Sequence, residues 1–151
     1  MENQNNNYEL LRLKRQSSFP LYACSREVIR LYTPLLDKLG LTYTQYITMM
    51  VLWEKDALRV KDLGHELHLD SGTLTPLLKK LEEKGFVTRK RSVEDERNLI
   101  VTITPAGKAL QDDALLIPHE IAQFSNLTPE ENRQLRDLLF KLLDHISEIR
   151  N

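Results

Sequence analysis

The sequence contains one cysteine, Cys24, which excludes an internal disulfide and fits a reducing compartment. Glycine and proline are also sparse, five and six in 151 residues, and no linker rich in them divides the chain. No run approaches the roughly 18 apolar residues that a membrane-spanning helix needs. The first seven residues are polar and lack the apolar stretch of a secretory signal. A cytoplasmic location with no membrane partner is therefore expected. The formal net charge is only −1, so the total gives no sign of a polyanionic partner. The distribution of charge says more. Residues 79–97 carry seven basic and five acidic side chains, net +2, whereas residues 104–151 carry five basic and eight acidic ones, net −3. Taken alone, the basic stretch is equally well read as the solvated face of a helix.

What is present is helical periodicity. Residues 19–39 place Leu21, Tyr22, Val28, Ile29, Tyr32, Leu35, Leu36 and Leu39 on one helical face, with Gly40 as the stop. Pro20 belongs in the first turn of that helix, and Ser17 or Ser18 is its N-cap. Residues 1–16 form a flexible or short helical segment ahead of it. Thr42-Tyr43-Thr44-Gln45 has the form of a capping box and opens a helix through about Glu54 that holds Tyr46, Ile47, Met49, Met50 and Trp53. Val60, Leu63 and Leu67 mark a short helix, His68-Leu69-Asp70 a tight connection, and Ser71 the start of a helix with Leu74, Leu77, Leu78 and Leu81 on one face, stopped by Gly85.

A β signal follows. Residues 86–91 and 98–103 flank a charged turn, and the second run is rich in β-branched side chains. Thr104-Pro105 and Thr128-Pro129 each join an N-cap to a proline at the first helical position. Leu135, Leu138, Leu139, Leu142, Leu143, Ile146 and Ile149 form the stripe of a last helix. The order predicts a mainly α chain with a two-stranded β-wing, a winged helix-turn-helix. Residues 17–151 are read as one domain, with helical segments 17–39 and 105–149 flanking a lobe at about 42–103.

Two short helices, a tight turn and a basic hairpin suit the reading of duplex DNA. A helix that enters a major groove about 12 Å wide needs a slim, polar first turn. Ser71, Gly72, Thr73 and Thr75 supply it, and the helix N-terminus offers free N–H groups to phosphates. Lys79, Lys80 and Lys84 follow on the polar side, while Leu74, Leu78 and Leu81 hold the helix to the core. Arg89, Lys90 and Arg91 line the first strand of the hairpin, and Arg97 stands near its tip, where an arginine can enter a narrow minor groove. Asp95 is placed to orient it. Taken singly, each of these segments is as well explained by an ordinary amphipathic helix or a surface hairpin; their order and spacing favour DNA.

Enzyme chemistry finds no support in the motifs. Asp70-Ser71-Gly72 is not a nucleophile elbow, and no glycine-rich phosphate loop exists. The histidines of His65-Glu66-Leu67-His68 are three apart rather than four and lack a third ligand; His119 and His145 are isolated and read as surface residues. No metal and no cofactor are expected.

The run Leu69–Glu82, with Arg89-Lys90-Arg91 and Asp95-Glu96-Arg97, resembles the multiple-antibiotic-resistance-regulator (MarR) family, and within it the branch that senses organic hydroperoxides and thiol oxidation. Leu21-Tyr22-Ala23, Ser25-Arg26-Glu27 and Leu41–Tyr46 add to the likeness, which spans about residues 17–149. The resemblance implies a bacterial cytoplasmic repressor, a homodimer built from the N- and C-terminal helices that binds an inverted-repeat operator in double-stranded DNA. It implies Ser71, Thr73 and Thr75 as recognition-helix contacts and Arg97 with Asp95 as the wing device. It also implies release of DNA when a cysteine four residues before the tyrosine matched by Tyr22 is oxidised, with tyrosines matching Tyr32 and Tyr43 bonded to it across the dimer.

Here the chain departs from the pattern, because that position is Ser18, and a hydroxyl forms neither sulfenate nor disulfide. Either serine replaces a natural cysteine and locks the reduced, DNA-binding state, or the natural chain lacks this sensor. Cys24 lies about 240° further round a helix. It is read as a buried, inert thiol, with an alternative sensor activated by Arg26 and Arg30 as the competing reading. Two other functions stay open: a regulator of the same fold released by a small aromatic ligand in a cleft near Tyr22, Tyr32 and Tyr43, and a helical interaction module without DNA.

Overall fold

The computed structural model describes residues 8–150. Of the expected N-terminal segment, residues 1–7 lie outside the described residues, and Leu13–Arg15 makes a single 3-10 turn. The elements then run α1 (Ser18–Asp37), α2 (Tyr43–Lys55), β1 (Ala57–Arg59), α3 (Val60–Leu67), α4 (Ser71–Glu83), β2 (Val87–Arg91), β3 (Leu99–Ile103), α5 (Pro105–Ala114), α6 (Ile117–Ala122) and α7 (Pro129–Arg150). The chain divides between Ile117 and Pro118 into two compact units.

In the first unit, local chemistry sets the helix ends. Pro20 sits in the first turn of α1, where it forfeits no helical hydrogen bond. Ser17 precedes α1 but its side chain makes no capping bond. Pro34 lies inside α1, which ends three residues later at Asp37. Gly40, at φ +66°, then turns the chain, and the Leu41 N–H closes onto the Leu36 carbonyl at 3.0 Å. The capping box of α2 is complete: the Gln45 N–H donates to Thr42 Oγ1 at 3.3 Å, and the Thr42 N–H donates to Gln45 Oε1 at 3.1 Å.

α2 packs against α1, α3, α4, α5 and the sheet. Its buried face is Tyr46, Met49 and Leu52, joined by Leu36, Leu63, Leu74, Leu78, Leu81, Val87 and Val101. Each such leucine contributes about 2 kcal/mol by leaving water. Two polar side chains, Gln45 and Thr48, are buried with them and are satisfied; Thr48 Oγ1 donates to the Thr44 carbonyl at 2.8 Å.

The wing is the expected antiparallel hairpin, with Val87 opposite Ile103, Arg89 opposite Val101 and Arg91 opposite Leu99. A third strand extends it. Residues 57–59 pair with β3, giving the order β1-β3-β2. Three residues are too few for an alternation to show in a sequence, and this strand exists because β3 offers it a ladder. A strained residue leads into it: Asp56, at φ +56°, ends α2 before β1, with its carboxylate 2.6 Å from Lys108 Nζ.

α5 begins at a crowded junction. Thr104 Oγ1 accepts the Gly107 N–H at 3.1 Å and donates to the Gly85 carbonyl at 2.6 Å, while the Thr104 N–H donates to the Phe86 carbonyl at 3.0 Å. Trp53 Nε1 donates to the Gly107 carbonyl at 2.9 Å. In the second unit, α7 opens with a second complete capping box, the Glu131 N–H donating to Thr128 Oγ1 at 3.2 Å and the Thr128 N–H to Glu131 Oε2 at 2.8 Å. The stripe Leu135, Leu138, Leu139, Leu142, Ile146 and Ile149 is exposed along it. On α1, Phe19, Leu21, Tyr22, Val28 and Ile29 are exposed likewise.

A methyl group at position 107 would lie 2.2 Å from the Phe86 carbonyl oxygen, a backbone atom that cannot swing away. Gly107→Ala is expected to lower stability by about 1–3 kcal/mol, read as a shift of the denaturant midpoint at unchanged slope.

Candidate nucleic-acid interface

The short turn between α3 and α4 is built by sterics and one carboxylate. Gly64 lets the chain close, since a Cβ there would meet the Leu69 carbonyl oxygen at 2.9 Å. His68 takes the left-handed conformation at φ +52°. Asp70 then caps α4, accepting the Thr73 N–H at 2.8 Å and the Thr73 hydroxyl at 3.3 Å. The sequence reading places Asp70 only in the connection; the signal for a cap is an acidic residue just before Ser71. The Thr73 N–H bond holds the Asp70 carboxyl below its ordinary pKa.

On α4, Leu74, Leu77, Leu78 and Leu81 are buried, and Ser71, Gly72, Thr73, Thr75, Lys79 and Lys80 are exposed. The small residues thus occupy a solvent-facing first turn. Pro76 stands inside the helix. It has no N–H to give to the Gly72 carbonyl, so that oxygen lacks its usual helical donor at the exposed end. Lys79 Nζ lies 4.0 Å from Glu83 on the surface, a contact of little energetic weight.

Lys84 leaves this polar side. Its ammonium donates to the Gly40 carbonyl and, at 3.3 Å, to Gln45 Oε1, tying the end of α4 to the corner between α1 and α2.

The basic strand also divides. Arg89 departs from the expectation of a DNA-facing cation. Its side chain is only 20% exposed, and its Nη2 lies 2.8 Å from Glu82 on α4. Strand alternation turns it toward the helix. Arg91 donates to the Glu96 carbonyl at 2.6 Å and fastens the turn. At the tip, Asp95 accepts the Arg97 N–H at 3.1 Å, Arg97 Nε at 3.0 Å and Arg97 Nη2 at 3.2 Å. These bonds hold the Asp95 carboxyl below its ordinary range, the Arg97 side chain being the larger cause. Arg97 remains 90% exposed, oriented but not covered.

The residues near the N-terminal helix are only partly gathered. Tyr32 and Tyr43 meet edge to face at 5.0 Å between ring centroids, and Tyr46, expected from the sequence only as a position on the face of α2, joins them at 6.0 Å from Tyr32. Burial, then the neighbouring Tyr43 and Tyr46, push the Tyr32 hydroxyl pKa up. Tyr22 is apart and exposed, accepting from Arg26 Nη1 at 3.2 Å. Ser18 is the exposed first residue of α1. Cys24 is also exposed, so the buried, inert reading is not met in the single chain. Among the described residues, no three His, Cys, Asp or Glu side chains gather to hold a metal, and no helix is long and apolar enough to cross a membrane.

A helix-turn-helix whose second helix exposes small polar residues, followed by a hairpin with an oriented arginine, defines a winged-helix transcription regulator. Comparison with known proteins gives the family. Residues 30–114 match the family of transcriptional regulators SarA/Rot. The chain is 45% identical over 143 residues to the organic hydroperoxide resistance transcriptional regulator of Bacillus subtilis (strain 168), covering 95% of this chain and 97% of that one. It is similar to the structure of reduced AbfR bound to DNA, with a TM-score of 0.80 and 31% identity over 96% of this chain and 99% of the other. It is likewise similar to a mutant MarR from E. coli complexed with operator DNA, with a TM-score of 0.77 and 27% identity over 90% and 96% of the two chains. The chain belongs to the MarR family of transcriptional regulators, in the branch of the organic hydroperoxide and thiol-redox regulators. That family comprises regulators of transcription, not enzymes.

The contribution of Asp70 is complete above the ordinary carboxylate pKa of 3.8 and is lost as pH falls below it, because the folded value is the lower one. Asp70→Ala is expected to unfold a few degrees below the parent at neutral pH. In scanning calorimetry this gap should narrow on acidification below pH 3.8, where the protonated carboxyl accepts more weakly, and a gap of unchanged size there would show that the charge of the carboxylate is not the cause.

Proposed function

We propose that the chain is a repressor that binds an inverted-repeat operator in double-stranded DNA as a homodimer in the bacterial cytoplasm. The observation that carries this is the exposed, carboxylate-oriented Arg97 at the wing together with the small polar first turn of α4. Ser71, Gly72, Thr73 and Thr75 meet base edges or phosphates in the major groove, Lys79 and Lys80 meet phosphates, and Arg97 enters the minor groove with Asp95 as its brace. Arg91 contributes by stiffening the turn that presents Arg97. The segments 17–39 and 105–149 form the dimer, a reading supported by apolar stripes on α1 and on α7 that the chain leaves exposed. Residues 17–151 act as one regulator, with about 42–103 as its DNA lobe.

The regulatory input is thiol oxidation or an organic hydroperoxide, as the names of the relatives suggest; nothing specific favours a small aromatic ligand in its place. In this sequence position 18 holds serine, and the one thiol is the exposed Cys24. A response to oxidant in the present chain therefore runs through Cys24 and disappears in Cys24→Ser. Ser18→Cys introduces the second thiol at the family's sensor position, near an exposed Tyr22.

Arg97→Ala is expected to weaken binding about tenfold, with an unchanged circular-dichroism spectrum. The affinity of the parent should fall steeply with added salt in a mobility-shift titration. Salt-independent binding would argue against the DNA reading as a whole.

The sensor assignment is tested with the double variant Ser18→Cys/Cys24→Ser. Treatment with cumene hydroperoxide is expected to add oxygen to its thiol by intact mass and to release the DNA. A protein that is oxidised yet stays bound would remove position 18 from the mechanism.

A further inference from the structure

Glu82 and Arg89 join the two DNA-reading elements, and neither the family comparisons nor the operator reading assigns them a role. Glu82 lies one residue before the end of α4, on the flank between the buried leucines and the exposed polar face. Its Oε1 accepts the backbone N–H of Arg89 at 2.9 Å. Its Oε2 accepts Arg89 Nε at 3.1 Å and Nη2 at 2.8 Å. One carboxylate thus holds both the main chain and the planar guanidinium of a single β2 residue, which fixes direction as well as distance. Isolated surface ion pairs contribute little, but this one is half-buried on the Arg89 side and has three bonds in place of one.

We propose that Glu82 is a positioning residue for DNA recognition: through Arg89 it fixes the wing to α4, so that Arg97 and the recognition helix meet the duplex as one rigid unit. The proposal rests on the operator reading above. The lever is long enough to matter. Strands rise about 3.3 Å per residue, so the hairpin tip lies roughly 12 Å beyond Arg89. A tilt of about 15° at the clamp carries the tip about 3 Å sideways, half the roughly 6 Å width of a minor groove. An arginine displaced that far no longer enters while α4 is seated. The neighbouring cations of β2 do not duplicate the clamp: Lys90 is exposed, and Arg91 is spent on Glu96.

The test uses the full-length dimer and a duplex selected by the parent protein from a random-sequence pool. Four proteins are compared by fluorescence anisotropy: the parent, Arg97→Ala, Glu82→Gln and the double variant. Glu82→Gln keeps an oxygen for the Arg89 N–H and removes the charge that holds the guanidinium. The expected result is that Arg97→Ala weakens parental binding about tenfold but Glu82→Gln binding less than about threefold. Hydroxyl-radical footprinting of Glu82→Gln should lose protection where the wing lies and keep it where α4 lies. An Arg97→Ala effect of equal size in both backgrounds overturns the clamp while leaving the operator reading intact. An Arg97→Ala protein that binds like the parent overturns the minor-groove reading and the clamp together, a distinct pattern. If Glu82→Gln does not fold, Arg89→Lys takes its place in the same four-way comparison, since it keeps the charge and loses the fork; the same two outcomes then decide.

Discussion

The approach of α5 to the Phe86 carbonyl is the constraint on which the rest of the first compact unit depends. Phe86 lies between the end of α4 and the start of β2, and Thr104 lies between the end of β3 and the start of α5. The Thr104 N–H and hydroxyl bond to adjacent carbonyls at Phe86 and Gly85, and Trp53 reaches from α2 to the Gly107 carbonyl. Several elements are therefore referenced to one cluster of backbone atoms. Side-chain packing can adjust by changing rotamers, but a backbone contact of this kind cannot. Only the absence of a side chain at Gly107 permits it.

From that junction the charged residues sort into two groups. Lys84, Arg89 and Arg91 are engaged within the protein, by the Gly40 carbonyl, Glu82 and the Glu96 carbonyl. Lys80 and Arg97 are largely left to solvent. The slight positive excess of residues 79–97 is thus a poor guide to the charge presented outward, because several of its acids are already matched to its bases. A near-neutral chain can carry a localised cationic surface when its carboxylates orient arginines instead of merely cancelling them.

Much of this fold was legible, because its boundaries are chemical. Thr42, Thr104 and Thr128 announce helix starts through their hydroxyls, and Gly40 and Gly85 announce turns that need positive φ. The leucine spacing of α4 marks its buried face and the polar face opposite. What was hidden depends on tertiary partners. The strand at 57–59 forms only because β3 lies beside it. Arg89 and Arg97 are indistinguishable as letters, yet strand alternation sends one against Glu82 and the turn leaves the other in water. Tyr46 was visible as a core position, but its membership of the Tyr32–Tyr43 cluster follows from how α1 crosses α2.

The sheet order has a consequence for behaviour at high concentration. With β3 in the middle, β2 is an outer strand whose far side has no strand partner among the described residues. Such a strand is a template for a fourth one contributed by another molecule. Here it reads Val-Thr-Arg-Lys-Arg, three consecutive cations over its second half, and the Arg89 amide is already taken by Glu82. Like-charge repulsion and a blocked amide both oppose accretion of a second copy. The charges that line β2 thus also oppose edge-to-edge pairing of the wing.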